Sequence, residues 1–579
     1  MTTWLPVPPI TALLLFLASA VGVTSDSVTA SAQSAPPTDA DTDPPEVQLG
    51  ERLFLETRFA QFFFANSDGD VNGPLTEGDP VMSELQTTGA PLPGPFAGQS
   101  MNCRQCHLVD ELKDISPFDV RTYADFARRS PIPGLESDSQ TTTPRNAPPL
   151  VNASLARDVP AVFHFDGEFS TIEGLVIGTF TGRNFGWQPT QVATATAHIA
   201  SVIRGDDGNN DLAQSFSSPG VPYRVLFLGT DPSIPPQLLI PVQYRIDVAT
   251  ATDDQVLSAV AAVVRAYVDS LRFSTDDTGQ YNGSPYDAFL IKNDLPRSPD
   301  PGETNLAYSQ RLLGLINGLA KPKFVYPSSG AFELHDQKFK FGPDELAGLK
   351  IFFSQPHVNS ASLLALNRSR NPLTRGFGNC VACHTPPNFT DFRFHNTGAS
   401  QVEYDMIFGS GAFAALDIPG LATRNGHFDS FLPPSPAHPN ATGRFRSAAS
   451  RANPGYTDLG VWNIFANPDT PNPQASLTTI LCGLFNLNGA ACTPGVVLPL
   501  SVSYFKTPSL RDLGQSSPYL HTGAFDSFVD VLQFYITTSG LARKSLLFHG
   551  SPELVSVIID ADDIPALDAF LQALNEDYD

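Results

Sequence analysis

Two pentapeptides decide the reading of this chain: Cys103-Arg104-Gln105-Cys106-His107 and Cys380-Val381-Ala382-Cys383-His384. Each places two thiols three residues apart, with a His directly after the second. On a helical turn, residues i and i+3 share a face. Both thiols can then reach the two vinyl groups of one porphyrin, while the adjacent imidazole is carried under the ring to ligate its iron. This is the attachment pattern of c-type haem. A zinc site made from two Cys-x-x-Cys pairs, or two disulfides, would not need the His that follows both copies. The chain is therefore expected to carry two covalently bound haems c, on Cys103, Cys106 and His107 and on Cys380, Cys383 and His384.

Working outward, the motifs lie 277 residues apart (380 − 103), enough for one domain each. The segments before them look alike. Residues 49–54 read Leu-Gly-Glu-Arg-Leu-Phe, and in residues 346–353 Leu346, Leu349 and Phe353 recur at helical spacing. Residues 254–272 and 562–574 are amphipathic and open on acids, as helices do. The expected fold is mainly α, with two cytochrome c-like haem domains, long loops and little β structure. The N-terminal haem domain is expected over 46–330, with an Asp-, Gly- and Pro-rich insertion at about 205–300. The C-terminal haem domain is expected over 331–579. The last two cysteines, Cys482 and Cys492, suit a structural disulfide in an oxidising compartment, with a reactive thiol pair as the alternative.

Composition agrees with a loop-rich globular protein. Of 579 residues, 41% are hydrophobic and 41 are Phe, so a large core can be buried; Pro (52) and Gly (43) are plentiful. Acids outnumber bases 59 to 35, a net charge of −24, which excludes a nucleic-acid binder working through a basic surface. Residues 10–20 (ITALLLFLASA) are apolar and end in a small-x-small site, so 1–20 reads as a signal peptide, with a membrane anchor as the alternative. Residues 21–45 read as a flexible tether. No membrane span is expected in the mature chain, which is expected to be periplasmic or secreted.

With these residues in view, the chain resembles the bacterial di-haem cytochrome c peroxidase superfamily, which includes the MauG-type enzymes. The matching strings, in order, are Leu49-Gly50 with Leu53-Phe54, Arg145-Asn146, Phe165-Asp166-Gly167, Pro386 and Phe389-Thr390-Asp391 after the second motif, and His395-Asn396-Thr397-Gly398. Then come Lys506-Thr507-Pro508-Ser509-Leu510-Arg511, Pro518-Tyr519-Leu520-His521-Thr522-Gly523 and Phe534-Tyr535. The resemblance implies a peroxidatic haem on His107 and an electron-transfer haem on His384. Reducing a peroxide takes two electrons, which two redox sites can share. The electrons would come from a small cytochrome c or cupredoxin, or from an unknown organic substrate. In this family the second haem's distal ligand lies fourteen residues after the His of the Pro-Tyr-x-His segment, which is Tyr535 here. Phe528, Leu532 and Tyr535 share one face of an expected helix; the alternative is a core aromatic. His521 is a candidate neighbour of that haem. The resemblance also implies a calcium ion at Asn146, Ser516 and Pro518, hard oxygen ligands that suit it.

The sequence departs from the family at the peroxide side of the first haem. The family's Gln and Glu positions fall on Leu175 and near Phe185, and its inter-haem Trp falls on Phe165. Glu173, Arg183 and His164 are the candidate replacements in that pocket. A solvated helix face is the other reading of Glu173, and a salt bridge or haem-propionate contact that of Arg183. His198 is a further candidate distal ligand or a structural His. Two other functions stay open: a haem oxygenase resembling rubber oxygenase, and a non-enzymatic di-haem electron carrier.

Overall fold

The computed structural model describes residues 43–83, 86–87, 90–91, 100–107, 129–130, 132–135, 138, 140–329, 338–356 and 376–576. The expected leader at 1–20, and the tether up to residue 42, lie outside them. The helices that position the site are α1 (Pro45–Phe54), α2 (Ile172–Phe180), α3 (Val192–Gly205), α4 (Asp253–Ser270), α5 (Pro343–Phe353), α6 (Phe528–Arg543) and α7 (Ile564–Gln572). Among the described residues, strands are limited to two antiparallel two-residue pairs. These are Gln86–Thr87 with Ala90–Pro91, and β1 (Phe394–His395) with β2 (Phe505–Lys506), where Phe394 faces Lys506. The chain is mainly helical.

Local chemistry sets the helix ends. α4 starts where the Thr252 hydroxyl accepts the Gln255 amide and Gln255 reaches back to Thr252, with Asp253 and Asp254 in the first turn. α6 starts at Ser527, whose hydroxyl accepts the Asp530 amide. α4 buries Val256, Leu257, Val260, Val263, Val264 and Tyr267, each such side chain contributing about 1.5–3 kcal/mol.

Two helix crossings repeat one device. α1 meets α4 at Gly50, where a Cβ would strike the Val263 carbonyl and come within 2.8 Å of Tyr267 Cβ. α5 meets α7 at Gly348, where a Cβ would strike the Ala566 carbonyl and come within 2.8 Å of Phe570 Cβ. Four residues on, Phe54 packs on Tyr267 with ring centres 5.1 Å apart, and Phe352 packs on Phe570 at 5.2 Å. The similarity of the two segments in the sequence thus has a shared cause: both are helices pressed backbone to backbone against a later helix.

Three apolar cores result. The first runs from Val47 to Phe273, the second from Tyr286 to Leu574, and the third is built mainly from Phe394 to Tyr504, with Val162. The stretch 205–300 differs from the expected insertion. It holds α4, the central helix of the first core, while Tyr286, Phe289 and Leu290 enter the second. Its early part closes over α1 through buried charges. Asp206 accepts from Arg52 at 2.9 Å and pairs with Arg58 at 3.0 Å, and the Tyr223 hydroxyl donates to Glu56 at 2.9 Å. A Gly- and Pro-rich composition concealed residues that the core cannot lose. Cys482 and Cys492 are disulfide-bonded at the edge of the third core, with Cα atoms 5.7 Å apart.

Candidate haem-binding site

Each pentapeptide hangs from the end of its glycine-crossed helix. Cys103–Gln105 is a 3₁₀ turn whose capping residue, Asn102, accepts the Gln105 amide and donates to the Leu55 carbonyl at 2.9 Å, just past α1. Cys380–Ala382 is a matching turn; Gly378 N donates to Ile351 O at 2.8 Å and Asn379 N to Ser354 O at 3.0 Å, at the end of α5. In both, the His amide donates to the first Cys carbonyl, at 2.9 Å for His107 and 2.8 Å for His384. The two thiols and the imidazole are thus presented by the same backbone hydrogen bond in both copies.

None of the four thiols is in a disulfide. Burial pushes Cys106 and Cys380 up to about 12 and raises Cys103 and Cys383 as well. Burial also lowers both imidazoles to about 4, with His164 adding to the effect at His107. Both are therefore neutral at ordinary pH, the form that ligates a metal. His384 Nδ1 donates to the Phe389 carbonyl at 3.0 Å, which leaves Nε2 as its free electron pair. Cys103, His107, Cys380, Cys383, His384 and Tyr535 all lie deep enough for burial to dominate their titration, yet each keeps part of its surface accessible. Paired thiols outside any disulfide, followed by a neutral imidazole, fit a covalently attached haem.

Tyr535 projects from α6 on the face of Phe528 and Leu532, which are buried in the second core. Its hydroxyl is raised by burial and then by the neighbouring Cys383 and Cys380, which sets it beside the second motif. His521 stacks on Phe505, with ring centres 3.6 Å apart and planes 18° apart. Its Nε2 is buried without a hydrogen-bond partner. Burial lowers it to about 3 against the pull of Asp458, with Arg145 and Arg129 reinforcing the depression. Its carbonyl accepts the Asn146 amide at 2.8 Å. The Asn146 side chain donates to the carbonyls of Pro518 at 2.7 Å and Leu520 at 3.2 Å, while Ser516 turns away to donate to Leu513 O at 3.0 Å.

The three pocket candidates separate. Glu173 is held on the surface by Arg265 of α4 at 2.6 Å. Arg183 clamps a loop, pairing with Asp138 at 2.6 Å and donating to Pro133 O and Gln140 O. Both therefore sit in structural ion pairs. His164 alone of the three acts on the His107 imidazole. It adopts a left-handed φ of 63° in a tight hairpin closed by Phe163 and Phe169, and its Nδ1 bonds Glu168 at 3.1 Å. His198 is packed among Phe63, Phe64 and Trp187 and bonds the Arg58 carbonyl at 2.7 Å, a structural setting.

Sequence reading missed the charged seam behind this hairpin. Arg145 joins Asp166 at 2.6 Å to Asp458 at 2.8 Å; Arg446 holds Glu168 and reaches Asp166 at 3.2 Å. Arg145 and Asp166 stand in the family-like strings, but partners about 300 residues distant leave no local signal.

No family model matches the chain. A cytochrome-c peroxidase of Denitromonas iodatirespirans, IdrP2, is 25% identical over 222 residues, 38% of this chain and 41% of that protein. The chain thus spans about two fifths of the length of that curated relative. Among solved structures, a MauG-like protein associated with microbial copper homeostasis aligns with a TM-score of 0.39 and 15% identity, over 93% of this chain and 92% of that one. The di-haem peroxidase BthA of Burkholderia thailandensis aligns with a TM-score of 0.40 and 16% identity, over 92% and 86%.

Proposed function

We propose, from its place in the di-haem cytochrome c peroxidase and MauG superfamily, that this chain is an exported di-haem c-type oxidoreductase that reduces hydrogen peroxide. Electrons would come from a small cytochrome c or cupredoxin, or from an oxidised organic substrate. Each haem would occupy its own domain; core membership changes at 274–285, so the division would fall there rather than at the 330/331 boundary expected from the sequence. When bound, the haems supply two redox-active irons, one with an exchangeable position. The thiols of Cys103 and Cys106, and of Cys380 and Cys383, would hold the porphyrins by thioether bonds. His107 and His384 would be the proximal ligands, each fixed by its turn.

The observation that carries this reading is an asymmetry between two otherwise equivalent turns: a buried phenol, Tyr535, stands beside the second. Burial alone disfavours a phenolate, so the ferric charge would have to hold Tyr535 ionised. At the first turn, His164 bonded to Glu168 is placed to hold or pass a proton. The carbonyl oxygens of Pro518 and Leu520 converge on the Asn146 side-chain nitrogen, while Asn146 Oδ1 accepts the Arg129 amide. Turning the Asn146 amide would bring Oδ1 beside both carbonyls, a set that suits calcium. Ser516 would contribute only after rotating away from Leu513.

The test is a peroxide titration of the purified mature protein, followed by visible and electron paramagnetic resonance spectra. One high-spin and one low-spin haem, with peroxide consumed, is the expected result. Two low-spin haems that bind neither cyanide nor carbon monoxide would instead establish an electron carrier.

A further inference from the structure

Two cations converge on one carbonyl oxygen at the junction of the cores. Lys506, on β2, donates its ammonium to Val162 O at 3.1 Å. Arg157 reaches the same oxygen from Nη1 at 3.5 Å and donates Nη2 to Ala153 O at 2.7 Å. Both overlook the Phe163 ring, at 5.8 and 5.4 Å, and Arg157 covers Phe392 at 4.4 Å. Among the described residues, no carboxylate forms an ion pair with either. Asp166 is the acid whose field reaches Lys506, and its oxygen is engaged by Arg145 and Arg446. Burial drives Lys506 down to about 7 and Arg157 to about 10, and Arg157 adds like-charge repulsion to Lys506. Two charges of one sign are costly together away from water unless an anion joins them.

Their location says which anion. Phe392 follows the second motif by eight residues, beside Asp391, whose amide donates to Cys383 O. Phe163 precedes His164, the neighbour of His107. Lys506 lies two residues before Pro508, whose carbonyl reaches the His384 imidazole. The pair therefore stands between segments that lead to the two attachment turns, and both side chains keep partial access to solvent space.

We infer that Lys506 and Arg157 bind a haem propionate, the carboxylate on the porphyrin edge supplying the charge they lack. This rests on the di-haem reading above. The other titratable and charged groups on segments packed against β2 include Asp166, His395, Asp391, His521, Arg145 and Arg393.

The test is spectroelectrochemistry of the holoprotein and of Lys506→Gln and Lys506→Arg between pH 5 and 8. Haem is first counted as the alkaline pyridine complex. In the wild type, an ammonium paired with a propionate stays charged and contributes no step near pH 7. In Lys506→Gln, one haem should shift toward its ferric form by about tenfold in the reduction equilibrium, about 59 mV for one electron. A new acid-side step should appear as the propionate, left with Arg157 alone, takes up a proton at higher pH than in the wild type, and Lys506→Arg should restore the wild-type profile. A wild-type step near pH 7 that Lys506→Gln abolishes would mark a lysine without a propionate and overturn the inference. So would a potential lowered with no new step, or one left unchanged. If Lys506→Gln fails to fold, the wild-type profile alone decides. Fewer than two covalent haems would defeat the di-haem reading itself; two haems with unaltered profiles would defeat only the propionate assignment.

Discussion

Tyr535 shows how far a single side chain can be read in advance and where that reading needs the fold. Its spacing from His521 and its helical face with Phe528 and Leu532 were visible in the sequence; its neighbourhood with Cys380 and Cys383 required the packing of α6. Tyr535→Phe removes the only atom able to bind iron from that ring. The expected outcome is a changed low-spin signal of one haem in the electron paramagnetic resonance spectrum, with the other haem unaltered. An unchanged spectrum would remove Tyr535 from the ligands. Glu173 and Arg183 teach the opposite lesson. A carboxylate and a guanidinium near a site look available in a string of letters, because their partners Arg265 and Asp138 lie 92 and 45 residues away. Ion pairing between distant segments has no local pattern, so those two roles could not be read.

The glycine crossings place the two Cys-x-x-Cys-His turns. Gly50→Ala and Gly348→Ala each force a methyl into a facing backbone carbonyl, and the helices must part. A loss of about 3 kcal/mol or more is expected for each, at the upper end of overpacking costs, read as a lower denaturation midpoint of the holoprotein. Gly314→Ala, in the helix Asn305–Asn317, meets nothing within 4 Å and should stabilise by about 0.5–1 kcal/mol. Equal effects at all three positions would contradict the crossing argument. The helical pattern around Leu49-Gly50 and Leu346 to Phe353 was legible because periodicity is local. Within 205–300 the helix at 254–272 was legible for the same reason, whereas Asp206 and Tyr223 were not, because they act through Arg52 and Glu56 rather than through a hydrophobic repeat.

Across the molecule, buried ion pairs span the junction between cores. Arg129 pairs with Glu403 at 2.6 Å, and Arg145 spans Asp166 and Asp458. Glu56, Glu168, Asp391 and Asp458 are all held below the ordinary carboxylate range. Burial opposes this, and it is overcome by Arg58, by Arg446, by His395 and by Arg145 in turn. Each acid stays ionised in the fold at a pH where the unfolded chain has already taken up its proton. Its stabilisation is therefore complete above about pH 4–4.5 and is lost as pH falls through the folded value. Urea denaturation of the holoprotein should show a midpoint that falls gently from pH 7 to 5, as the unfolded chain protonates histidines such as His521 and His198 that burial keeps neutral in the fold, and a steep decline below about 4. A midpoint that climbs on acidification would contradict the assignment.

The switch of core membership between Phe273 and Tyr286 has a topological meaning. Each half of the polypeptide owns both helices of its crossing and the attachment turn that hangs from it. The peptide connection there could be nicked without taking from either fragment anything its own helix pair requires. The fragments would still be held by contacts that cross the cut, among them Arg145 with Asp458, Arg129 with Glu403, the Asn146 amide with the His521 carbonyl, the Lys506 amide with the Phe165 carbonyl, and Val162 in the third core. Continuity of the main chain and cohesion of the two pieces are thus separate properties of this protein.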